Sequence, residues 1–102
     1  MAARDETPRT DLLREHVVEW NRWEPVSDTQ LRVWCWQGNR TAYGVRAVVA
    51  EDEQVVRLAT VTGTRPDAPG MTTMEALEVS LLVDLAAPLG DREVRQHPDA
   101  LG

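Results

Sequence analysis

The sequence has no lysine, no isoleucine, no phenylalanine and only one cysteine, Cys35. A single cysteine excludes an internal disulfide, so packing alone must hold the fold. Lysine, isoleucine and phenylalanine codons are AT-rich, so their absence marks GC-rich coding rather than a function. All eleven basic residues are arginines, against seventeen acidic ones, for a formal net charge of −6. That balance argues against nucleic acid or an anionic membrane as a partner, since both need a basic surface. No run approaches the ~18 apolar residues of a spanning helix. Met1–Asp11 is polar and charged, unlike a secretory signal. A soluble cytoplasmic protein with a reduced thiol is expected.

What is present is a single domain's worth of chain, with about 60–70% of its surface buried on folding. The stretch 30–63 organises it, reading as three consecutive strands. QLRVWCWQ (30–37) is rich in β-branched and aromatic residues, and Gly38-Asn39 is a hairpin signal. Residues 43–51 and 54–62 follow, joined at Asp52-Glu53. With two-residue turns, Trp34 lies opposite Tyr43 and Val49 opposite Val56. One face then carries Trp34, Trp36, Tyr43, Val45, Val49, Val56 and Leu58 as core. The other carries Val33, Cys35, Arg46, Val48, Arg57, Ala59 and Val61.

Before this meander, residues 1–9 read as disordered. Leu12, Leu13, His16, Val17, Trp20 and Trp23 recur at spacings of three and four, which predicts an amphipathic helix over 10–22. Pro25 ends it. After the meander, 63–72 holds two prolines and two glycines and reads as a loop. The alternation of Leu77, Val79, Leu81, Val83 and Leu85 predicts a strand. Residues 92–96 read as a short edge strand and 97–102 as a tail. The expected fold is mainly β (α+β): a small antiparallel sandwich of about five strands with an N-terminal helix, over 10–96. A half-open barrel and a single helix-covered sheet are the alternatives.

From Arg40 to Gln96 the chain resembles a recurrent type of small actinobacterial β-protein of uncharacterised function. The resemblance is carried by VVAEDEQVVRL, the Pro/Gly-rich loop, and an alternating strand that runs into Ala87-Pro88-Leu89-Gly90-Asp91-Arg92. Members often carry two cysteines where this chain has Asn39-Arg40 and Met71-Thr72, a departure that fits a reducing compartment. The resemblance implies fold and source, and brings no activity for any residue.

Candidate chemistry is sparse. His16 and Glu19 have a spacing that could serve a metal, but a site needs further ligands, so no metal or cofactor is expected. Cys35 has no neighbouring base and reads as a small buried apolar residue. Glu51, Asp52 and Glu53 read as a solvated turn rather than an acid–base pair. Arg46 and Arg57 fall on one face of adjacent strands. Either carboxylates neutralise them or they hold an anion or acidic peptide. Trp20 and Trp23 are core anchors or interface residues. No catalytic constellation appears, so a non-enzymatic interaction module is expected. Apolar surface left on the second sheet face (Val33, Val48, Ala59, Val61) would make it a two-fold homodimer. The alternative is a small-molecule-binding protein or cofactor-free enzyme with its site between sheet and helix.

Overall fold

The computed structural model describes residues 5–71 and 73–102. Met1–Arg4, in the segment expected to be disordered, and Thr72, in the expected loop, lie outside the described residues. The described residues form seven strands: β1 (Leu13–Val18), β2 (Trp20–Ser27), β3 (Gln30–Gln37), β4 (Tyr43–Glu51), β5 (Val55–Thr64), β6 (Leu77–Asp84) and β7 (Glu93–Gln96). They make two sheets. In one, β5 is central, with β4 along one edge; in the other the order is β2-β3-β6. The opposite edge of β5 is shared, β7 running parallel to Val55–Leu58 and β1 antiparallel to Thr60–Thr64.

The expected helix is absent, and the α+β assignment is corrected to all-β. Residues 13–27 are two strands that pass from one sheet to the other at Glu19. Bulges explain why they look helical. The register slips between Leu13 and His16, between Trp20 and Arg22, and between Pro25 and Ser27. Each slip inserts a residue, so same-face side chains recur at three rather than two. Trp20 and Trp23 both pack on the core from one strand, spaced like a helical turn because a bulge lies between them. Arg14 sits at the first slip with φ 53°. Backbone pairing with β5 and β3 outweighs the helical spacing, because unpaired sheet edges would leave donors and acceptors unmet. Pro25 is tolerated because β2 is an edge strand.

The five strands expected from Gln30 onward are present, but the first hairpin is not. β3 and β4 belong to opposing sheets, so Trp34 does not pair with Tyr43; β3 pairs with β2 and β6 instead. Val33 and Cys35 therefore point into the core, and Trp34 and Trp36 point outward, the reverse of the expected faces. The second turn is wider than expected, so Val49 pairs with Leu58 rather than Val56. A slip of two residues preserves the face. Val45, Val49, Val56 and Leu58 accordingly do belong to the core or pack on it.

The core cluster joins Leu31, Val33, Cys35, Val45, Leu58 and Leu81 across both sheets. Val33, Ala59 and Val61 are fully buried within one chain and Val48 is partly buried, so most of the apolar face expected to drive dimerisation is covered. Asp5–Leu12 is docked rather than free. The Glu6 N–H donates to Ser80 O on β6 and the Arg9 N–H to Val45 O on β4. The segment then crosses the outer face of the β5 sheet over the paired glycines Gly44 and Gly63. A Cβ on Gly63 would stand 2.8 Å from the Leu13 carbonyl oxygen.

Candidate functional site

The two ends of the sandwich are built differently. At one end lie the β4–β5 turn and the loop from Leu85 to Arg92, bordering an open concavity of about 810 Å³. The PLGDR stretch here is explained by Arg92. Its Nε donates to Leu89 O, its Nη2 to Ala87 O and Pro88 O, and its Nη1 to Glu51 Oε1 and Asp52 O. All five guanidinium hydrogens thus find acceptors inside the chain. Glu51 takes a second bond from the Ala86 N–H. The side chains of Arg92 and Glu51 are only 10% and 14% exposed. Burial pushes the Glu51 carboxyl up, but the Ala86 N–H and Arg92 together outweigh it and hold it below its ordinary value. Glu51 is therefore a buried partner and not part of a solvated tip. Asp52 does serve the turn, accepting from the Gln54 and Val55 N–H groups. With Arg92 saturated, its guanidinium has no donor left for an incoming anion.

At the opposite end the chain leaves groups unmet. Because the chain changes sheet at Glu19, β3 loses its β2 neighbour beyond Cys35. Trp36 and Gln37 pair only with β6, at Glu78 and Leu77. A cleft of about 300 Å³ opens there between the end of β3 and strand β1 of the other sheet, lined by His16, Val18, Trp36, Gln37, Tyr43 and Ala76. Trp36 is 53% exposed and Tyr43 38%. Tyr43 lies against Gly38, where a Cβ would meet its ring at 2.6 Å. The turn itself is organised by Asn39, whose carbonyl accepts from the Ala42 and Tyr43 N–H groups and whose Oδ1 accepts from Thr41. Gly38-Asn39 thus seats an aromatic ring instead of closing a hairpin.

Gln37 forms the inner wall. It is 4% exposed, and its Nε2 donates to Glu6 at 3.4 Å. Its Oε1 is buried without a hydrogen-bond partner among the described residues. On the far side of Gln37 and Tyr43, Arg9, Arg40 and Arg65 line a groove of about 240 Å³. Each of those guanidiniums is held by a carboxylate, of Asp11, Glu6 and Asp67 respectively.

The residues singled out from sequence are placed elsewhere. Arg46 and Arg57 share a face but lie opposite Val61 and Ala50, too far along the strands to be diagonal neighbours. Arg46 makes a two-bond pair with Glu15 at 2.6 and 3.0 Å, and that bonding holds the Glu15 carboxyl below its ordinary value. Arg57 reaches Asp52 at 3.3 Å. Trp20 closes the gap between β7 and β1 on β5: its Nε1 donates to Leu58 O at 2.7 Å, and its backbone bonds the Gln96 amide. Trp23 packs on the core. Burial raises the Cys35 thiol to about 11, so it stays protonated and unreactive. His16 is exposed on the cleft rim, its Nδ1 3.4 Å from Arg14 O. Among the described residues no three His, Cys, Asp or Glu side chains converge on a point where they could share a metal ion.

Sequence reasoning missed Gln37, Tyr43 and Trp36 as site residues. Trp36 and Tyr43 were assigned to the core through a hairpin that does not form. The only available signal was a β3 with bulky residues at both parities, which a strand inside one sheet of a sandwich cannot bury completely. No family model, curated protein or solved structure matches this chain.

Proposed function

We propose that the protein is a non-enzymatic binding module that takes a small, largely apolar molecule in the cleft between β1 and the end of β3. The observation that carries this reading is the exposure of Trp36 and Tyr43 beside one shallow, mainly apolar depression. Exposed aromatic rings cost hydration free energy unless something covers them, and a concave apolar cleft with a few polar groups is how small-ligand sites are built. A volume of about 300 Å³ matches the lower end of such sites, enough for a ring and not for a chain segment. Chemistry on the bound molecule has no support: the thiol is buried and protonated.

The test is a titration with a small set of planar ring compounds, with and without polar hydrogens, followed by amide chemical shifts. At least one should give saturable shifts confined to residues around Val18, Trp36, Tyr43 and Ala76. Trp36→Ala should abolish them without moving the melting temperature. Shifts scattered over the surface, or none from any compound, refute the reading.

A further inference from the structure

We infer that a second copy of this chain pairs antiparallel with the free edge of β4, about a two-fold axis at Val48. The inference is independent of the cleft and rests on the sheet edges. An edge strand exposes unpaired N–H and C=O groups, and folded chains interrupt such edges with prolines, bulges, charges or covering segments. Among the described residues every other edge strand carries such a device. β2 has Pro25 and two bulges, and β1 has a bulge at Arg14. β7 is four residues long and holds Glu93 and Arg95. β6 carries the exposed Glu78 and Asp84, and its Ser80 O is taken by the Glu6 N–H.

β4 is the exception. Its nine residues pair with β5 in unbroken register, with neither proline nor bulge. The Arg9 N–H donates to Val45 O, so the Val45 carbonyl faces away from β5. Backbone groups alternate in direction along a strand, so those of Ala47 and Val49 face outward too. No backbone group among the described residues bonds either of them on that side. Residues 47–50 carry no charge, and none of them is fully buried.

This open window is its own complement. Arg9 closes it at Val45, and it ends at Glu51, whose side chain is turned into the Arg92 loop. The two limits lie equally far from Val48. A two-fold axis there sets Ala47 opposite the partner's Val49, and each such pair exchanges two N–H···O bonds through the outward groups. Val48 meets its own counterpart. Arg46 falls opposite the partner's Ala50 with its guanidinium already held by Glu15. An uncharged window symmetric about one residue fits a second copy, and two-fold pairing is the commonest way for identical chains to join.

The test is the solution mass of the full chain from micromolar to millimolar concentration. It should rise from 11.4 kDa toward twice that value, at high concentration because so short a pairing makes a weak dimer. Amide exchange at Ala47 and Val49 should slow over the same range. Val48→Lys sets like charges opposite each other on the axis. It should leave the chain monomeric with its amide spectrum otherwise unmoved. Val48→Cys should form a disulfide-linked dimer in air, since opposed residues that share no hydrogen bond stand within disulfide reach. Ala50→Cys, displaced from the axis, should not, and the buried Cys35 stays out of the reaction. A mass of 11.4 kDa at millimolar concentration refutes the inference, even if an added extended peptide occupies the edge. So does equal cross-linking of the two cysteine variants, or a dimer whose concentration-dependent shifts fall around Trp36 and Tyr43.

Discussion

The loop end around Arg92 and the cleft end around Gln37 use the same chemistry to opposite effect. Arg92 has five donors, each met by an acceptor inside the chain. Gln37, also buried, has an acceptor that nothing among the described residues meets. The first arrangement can only be structural, because a ligand would have to break bonds to gain any. The second carries a deficit inside the fold. The two ends therefore differ in how fully their buried polar groups are met, and the larger hollow lies at the saturated end.

The sharpest way to break that contrast is Arg92→Met, which strands the buried Glu51 carboxylate. It should destabilise by about 3 kcal/mol, the lower range for a broken buried pair, and lower Tm by more than ~10 °C. Arg92→Lys should not rescue it, with three donors in place of five. The same pair sets an acid limb. The Glu51 carboxyl is lowered from 4.5 by folding, so its contribution is complete above that pH and is lost as pH falls through the folded value. A urea midpoint that stays flat from pH 6 to 3 would contradict this.

Next in size is the crossing of Asp5–Leu12 over the glycine pair. Gly63→Ala drives a Cβ into the backbone oxygen of Leu13 and should cost about 2 kcal/mol. Gly44→Ala meets only the flexible ends of Arg9 and Leu12, so equilibrium denaturation should find it the milder of the two. At the cleft end the sign should reverse. Gln37→Met should be neutral or stabilise by about 1 kcal/mol, because it removes an unmet acceptor. Smallest of all, Trp36→Ala should shift stability by less than ~0.5 kcal/mol. A loss as large as that of Arg92→Met would make Trp36 a core residue and erase the contrast.

Much of the β architecture was legible. Local propensity and alternation found every strand from Gln30 to Gln96, because these are properties of short windows. Two kinds of fact were not local. Bulges in β1 and β2 gave Trp20 and Trp23 a helical spacing, and only the partner strand reveals a bulge. Which sheet β3 and β4 join depends on the packing of the whole, so a hairpin signal at Gly38-Asn39 misdirected the faces of Trp34 and Trp36. The site depended on that second fact. An orphaned acceptor is defined by what fails to reach it, and no window of sequence contains that.

The shared edge of β5 has a consequence for how the chain comes together. β1, near the start of the chain, and β7, near its end, lie end to end along one strand from its middle, and Trp20 with Gln96 closes the join. β1 must wait some forty residues for its partner; Thr60 and Val18, bonded between the two strands, are 42 apart. Closing such long loops precedes any gain from pairing, which places the domain among slow, millisecond-to-second folders. The sheet built on β5 is finished only when β1 and β7 have both docked on it.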